Sequence, residues 1–202
     1  MKMSPEVALE KYESIKNFLY TSEELSDEQK EALKKLFNYL DNETPWLTSF
    51  SSTRFHNSFE QGNLQHSINV VNTAMGMLSY LNKTLPTPLK LTDVVLAALL
   101  HDVGKSYEYE RKEPTPRQKQ YGYPGSMGMN TSIPYMTHED RSLWMVSQYY
   151  PYLSEEVWDA IANHNEPHLT NVTQFKRRPL GTLISYADYW ACIYIDEPGE
   201  SY

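Results

Sequence analysis

The chain has a single cysteine, Cys192, in 202 residues. One thiol closes no internal disulfide, which excludes the small disulfide-stapled scaffolds and fits a reducing, cytoplasmic setting. Positive charge is also short: 18 Lys and Arg stand against 26 Asp and Glu, a formal charge of −8. That balance argues against long duplex nucleic acid or an anionic membrane as partner, while leaving room for a local basic pocket. No apolar run approaches the roughly twenty residues that cross a bilayer, and the charged N-terminus lacks the apolar stretch of a signal peptide. Tyrosine, by contrast, is abundant. Its sixteen copies imply amphipathic surfaces around a cleft or an interface, so a homo-oligomer is among the expectations.

The length suits one domain with a substantial core. Ser4, Pro5 and Glu6 read as cap, first helical residue and first-turn acid of a helix reaching about Leu19. Ser26 to Gln29 matches a capping box ahead of the stripe Leu33, Leu36, Phe37 and Leu40. These two helices carry no candidate chemistry. Residues 1–45 are therefore expected to form an N-terminal helical hairpin supporting a domain over 46–202. Phe50 to Asn63 is polar and irregular, and from Leu64 a third helix carries apolar residues on two faces.

The centre of the chain is LTDVVLAALLHDVGK, Leu91 to Lys105. Thr92 is placed to cap a helix, and Val94 to Leu100 is apolar on every side, the mark of a buried helix. It delivers His101 and Asp102 at its end, with Gly104 available for a left-handed stop. Residues 106–137 form a long irregular insertion, and such loops inside compact domains are commonly functional. A short hairpin, Lys119–Tyr123 against Ile133–Met136, is expected within it. Helices return over His138–Tyr149, Ser154–Asn163 and Leu180–Ile195. The expected fold class is an all-α bundle with one large insertion.

Six residues, His66, His101, Asp102, His138, His164 and Asp188, fall at the ends or inner faces of these helices. Each alone has an ordinary reading, a surface histidine or an aspartate paired with arginine. Together they read as metal ligands, because an isolated carboxylate on an apolar helix face is costly. Imidazoles and carboxylates from separate helices are a recurring way to hold one or two ions in a bundle core.

These residues resemble the pattern of the HD-domain metal-dependent phosphohydrolase superfamily, H…HD…D, with two further histidines in members that bind a second metal. ALLHDVGK matches its central motif, and LISYADYWA its closing aspartate motif. IPYMTHEDRSLWMV and EEVWDAIANHN resemble the segments of the third and fourth histidines. STRFHNSFEQGNLQHSINV is similar to the leading segment of a bacterial and phage subgroup, which often has GG where this chain has Gln61-Gly62. The likeness runs from about Thr53 to Asp188.

The resemblance implies an HD-domain helical bundle in which His66, His101, Asp102 and Asp188 hold one divalent ion. His138 and His164, with Asp102 as bridge, would hold a second. The donors suit Mn, Fe, Co, Ni, Mg or Zn. It further implies hydrolysis of a phosphate ester of a nucleotide or short oligonucleotide, with a water as nucleophile; by family analogy the second-metal histidines lean toward a diester. Asp102 or a neighbouring acid would take the water's proton. Lys105, Arg54 and His56 are candidate contacts to phosphate, and Tyr121, Tyr123 and Tyr135 could stack on a base. Plainer roles stand beside these: Lys105 as a helix-end cation, the tyrosines as packing on their own domain. Arg177 and Arg178 read as an exposed basic pair, and Cys192 as core. The same ligand pattern also serves di-iron oxygenases, and a non-catalytic HD binding or regulatory module is a third possibility. Such modules typically have lost ligands, and this chain keeps all six.

Overall fold

A computed structural model describes residues 2–120, 126–165 and 178–199, and every structural statement here concerns those residues. Helix α1 (Pro5–Thr21) starts where the Ser4 hydroxyl accepts the Val7 N–H, and α2 (Asp27–Glu43) starts on the full Ser26–Gln29 capping box. They form a hairpin whose rings Tyr12, Phe37 and Trp46 meet edge to face. The Met3 N–H donates to the Gln65 side chain, tying the hairpin to α3 (Gly62–Leu81).

The start of α3 explains the missing first glycine. Gln61 sits at φ 71°, a left-handed position that glycine occupies at least cost. Gly62 is the residue without an alternative, since a Cβ there would lie 1.9 Å from the Asn57 carbonyl oxygen. Helix α3 then buries Leu64, Ile68 and Val71 on one side and Val70 and Ala74 on another.

Helix α4 (Leu91–Leu100) is buried from Val94 to Leu100 and packs against α3, α7 (Glu155–Ala162) and α8 (Pro179–Trp190). Its cap differs from the expectation. Thr92 lies inside the helix, and its N–H and hydroxyl both donate to Glu24 Oε2, at 3.0 and 2.6 Å. A carboxylate from the α1–α2 loop thus takes the place of the helix's own cap. Gly104 also differs, making no left-handed stop. The chain passes through His101 and Asp102 into a 3-10 turn, Val103–Tyr107. Gly104 is needed because α6 (His138–Ser147) passes against it: a Cβ would lie 2.2 Å from the His138 carbonyl oxygen. The Ser142 hydroxyl stitches the two segments, accepting the Gly104 N–H and donating to the His101 carbonyl, both at 2.8 Å.

The insertion contains a hairpin, but not the expected one. Strand β1 (Tyr109–Lys112) pairs antiparallel with β2 (Ser126–Met129), and a short α5 (Pro116–Gln120) lies between them. Lys119 and Gln120 belong to that helix, and Ile133–Met136 is not a strand. Neither face of β1 is buried, so the hydrophobic alternation that marks a strand has no reason to exist there. Helix α8 buries Leu183, Ile184 and Ala187 and continues as a π-helical turn, Ala191–Ile195. Residues 196–199 then fold back on 55–57: the Asn57 N–H donates to the Glu197 carbonyl at 2.9 Å, and the Gly199 N–H to the Phe55 carbonyl at 2.7 Å. Among the described residues no helix is long and apolar enough to cross a membrane.

Candidate metal centre

Five helical segments send side chains to one point. His66 projects from the second turn of α3, His101 and Asp102 from the end of α4, His138 from the first position of α6. His164 follows α7, and Asp188 lies in α8. Asp102 is the pivot. Its Oδ2 lies 3.5 Å from His66 Nε2 and 3.3 Å from His101 Nε2, and Asp188 Oδ1 closes that side 3.0 Å from His66 Nε2. Its Oδ1 faces the other way, 3.5 Å from His138 Nε2 and 3.4 Å from His164 Nε2.

The rings are held from behind. His101 Nδ1 is 2.8 Å from the Ala98 carbonyl and His164 Nδ1 is 2.8 Å from the Ile161 carbonyl. A carbonyl only accepts, so each Nδ1 carries the hydrogen, and each ring turns its Nε2 to the centre. The Asn63 amide donates to the Asp102 carbonyl at 3.0 Å and fixes the pivot's backbone.

Charge follows burial. Burial opposes ionisation of Asp102, but Lys105, whose Nζ is 2.7 Å from Oδ2, and His101 outweigh it and hold the carboxyl well below its usual range. Burial also governs His138, lowering it to about 4 despite Asp102, so that ring is neutral. His66 is the reverse: burial works against its charge, yet the bonds to Asp188 and Asp196 raise it to about 10.

Do these residues fit divalent ions? Asp102 Oδ1 and His164 Nε2 are buried and form no hydrogen bond, although they are 3.4 Å apart. A buried polar atom left bare costs about 1–3 kcal/mol. A cation held by both would satisfy them at once. Among the described residues the close-set donor groups are His66, His101 and Asp102 on one side and Asp102, His138 and His164 on the other, with His101, His164 and Asp188 between and a fourth group, His56, His66, Cys192 and Asp196, behind His66. The donor set fits.

Other expected residues are placed differently. Lys105 joins the cluster through Asp102. His56 is turned inward, its Nδ1 2.7 Å from Asp196 Oδ2, so its ring is engaged within the protein. Arg54 is exposed and is not among the residues gathered at the centre. Arg178 is paired with Glu155. Tyr121, Tyr123 and Arg177 lie outside the described residues. Cys192 is only half-buried, at the edge of the site, with Sγ 3.5 Å from Asp188 Oδ1 and 3.4 Å from His56 Nε2.

Sequence reasoning missed Asp196. Its Oδ2 lies 2.7 Å from both His56 Nδ1 and His66 Nδ1, and its Oδ1 accepts from the Asn69 amide at 2.8 Å. The available signal was its place two turns beyond Asp188 in the run ADYWACIYID, with Cys192 midway.

Histidines and aspartates converging around one carboxylate inside a helical bundle mark a helical protein with donor groups that could hold divalent metal. The chain belongs to the HD domain family, whose model matches residues 63–191, and HD domains bind divalent metals. Over 63 residues, 31% of the chain, it is 33% identical to the dihydroneopterin 2',3'-cyclic phosphate phosphodiesterase of Methanocaldococcus jannaschii. That match spans 25% of the length of the curated relative. No solved structure matches the chain.

Proposed function

We propose that the protein is a metal-dependent phosphodiesterase acting on a small, nucleotide-like phosphodiester. One observation carries the reading: the two oxygens of Asp102 face separate histidine groups, an arrangement that would suit a carboxylate helping to hold two cations. Divalent ions held in such a pair supply Lewis acidity at phosphoryl oxygens and activate a water for attack. His66, His101, Asp102 and Asp188 would hold one, and Asp102, His138 and His164 the other. The low pKa that suits Asp102 to ligation makes it a poor base. Glu139, with Oε1 3.3 Å from His138 Nε2, is the neighbouring acid placed to take a proton, although its burial is outweighed by His138 and the Asn165 amide, which lower its pKa too. Lys105, already at the centre, is the candidate contact to phosphate; exposed Arg54 is the weaker one. Support for a cyclic or small diester also comes from the relative, which is named as a 2',3'-cyclic phosphate phosphodiesterase.

The test loads metal-free protein with Mn, Co or Ni and screens 2',3'-cyclic nucleotides, bis(p-nitrophenyl) phosphate and nucleoside mono- and triphosphates. Two ions per chain and turnover of a diester are expected. Asp102→Ala should lose both metal and turnover, and His164→Ala should bind one ion in place of two. Failure to hydrolyse any phosphate ester with both ions bound would sink the proposal, and tightly held mixed-valence iron would favour the oxygenase reading.

A further inference from the structure

The insertion walls a second space beside the metal centre. His138 and Glu139 form one side of a cavity of about 510 Å³, and the segment running on from β2 forms the other. Small-molecule sites commonly fall between about 300 and 1,000 Å³. Met129 and Ile133 give it apolar walls, and Asn130 and Glu108 give it polar ones.

Two of its residues carry groups that the fold leaves unengaged. Tyr135 is 95% exposed, a large ring left at the rim rather than packed into the core. Its predecessor Pro134 is anchored, with its carbonyl accepting from the Arg141 guanidinium at 2.9 Å. Glu108 is the second. One of its carboxylate oxygens is shielded from solvent and has no hydrogen-bond partner. The backbone that carries it is fixed at both ends, donating its N–H to the Lys105 carbonyl at 3.0 Å and accepting the Asn130 N–H at 2.8 Å. A shielded acceptor without a donor is unfavourable by itself and favourable when a ligand brings one.

We propose that this cavity receives the heterocycle of the substrate, and that Glu108 selects the 2-amino-4-oxopyrimidine edge shared by guanine and pterins while Tyr135 stacks on the ring. The inference rests on the phosphodiesterase reading, because a ring in the cavity lies against His138 and points its attached phosphate at the centre. Burial raises the Glu108 pKa and Lys105 opposes that; in the ionised form the carboxylate accepts only. Guanine and pterins offer it a ring N–H beside an exocyclic amino group, two adjacent donors. Adenine and cytosine set a ring-nitrogen acceptor beside the amino group. Uracil flanks its N–H with two carbonyls. Each of those arrangements puts lone pairs against the carboxylate, and an unmatched charged group is where such sites discriminate most strongly.

The experiment compares kcat/KM of the Mn-loaded full chain for the 2',3'-cyclic phosphates of guanosine, inosine and adenosine. Inosine lacks only the 2-amino group. A charge-assisted hydrogen bond predicts about ten- to hundredfold preference for guanosine over inosine. Glu108→Ala should bring that ratio toward one. Tyr135→Ala, at a solvent-facing position, should raise KM for all three alike and leave the ratio standing. Free guanosine and free neopterin serve as competitors, and the tighter one identifies the natural ring; inhibition by neither counts against the pocket. Equal kcat/KM for the three substrates in the wild type overturns the inference, as does an unchanged ratio in folded Glu108→Ala. Hydrolysis of bis(p-nitrophenyl) phosphate without base preference defeats the pocket alone, whereas loss of all ester hydrolysis defeats the phosphodiesterase reading. Equilibrium binding of guanosine against inosine reads the pocket in that case too, and equal affinities would overturn it.

Discussion

His66 is gripped at both ring nitrogens, by Asp188 at Nε2 and Asp196 at Nδ1. The other buried histidines make do with backbone carbonyls behind them, so Asp196 gives His66 something they lack, a full negative charge. Such outer carboxylates fix the ring and raise its basicity as a ligand, and their loss typically weakens metal affinity about 10–100-fold. Asp196→Asn keeps the shape and removes the charge. Calorimetric titration with Mn should show that weakening at an unchanged count of two ions; an unaltered affinity would mean that Asp196 only shapes the loop. The six central residues were legible because each sits in a short local pattern, a histidine or aspartate at the end or inner face of an apolar helix. Asp196 was not, since its position depends on two non-local things. The π-helical turn shifts it, with its N–H bonded to the Ala191 carbonyl five residues back, and the pairing of 196–199 with 55–57 pins it. His56 was read as a phosphate contact for the same reason: nothing near it in sequence announces the partner 140 residues away.

At the scale of elements, α4 shows how a helix can be plain in sequence while its end is not. Seven consecutive apolar residues required burial, and burial is what the fold gives them. The cap came from Glu24, on another element altogether. Hydrogen bonds from Thr92, foremost its hydroxyl, lower the Glu24 pKa. A depressed carboxyl pKa means stability that is fully present above the unfolded value of about 4.3 and is lost as pH falls through the lower folded value. Glu24→Gln should therefore cost about 1 kcal/mol at neutral pH, as lost caps and helix-dipole contacts do. Urea unfolding of variant and wild type should converge near pH 3, at about the protonated limit. A difference that persists in acid would assign the effect to packing instead. The insertion hairpin was illegible for a different cause: a four-residue ribbon with no buried face leaves no periodic trace.

Across the whole molecule, α3, α4, α6 and α8 and the segment that follows α7 each bring a side chain to one centre. Ions held there would bind the native state in preference to the unfolded chain, whose donors are scattered. At a free concentration one hundred times Kd, that adds about 2.7 kcal/mol. For a chain of this size the gain corresponds to roughly 5–10 °C in Tm. Differential scanning with saturating Mn, then with excess chelator, should show that separation, and coincident melts would count against the site. The all-α order of helices was readable from capping and period, whereas the positioning of the insertion over the centre was not, because few of its residues are buried. The spread of the ligands along the chain, from His66 to Asp188, has a consequence for biosynthesis. A nascent chain leaving the ribosome presents His66, His101 and Asp102 while the helix that carries Asp188 and leads to Asp196 is still to be made. That trio lacks Asp188 and the carboxylate behind His66, so the donor set, and with it any discrimination among ions, would be complete only in the finished fold.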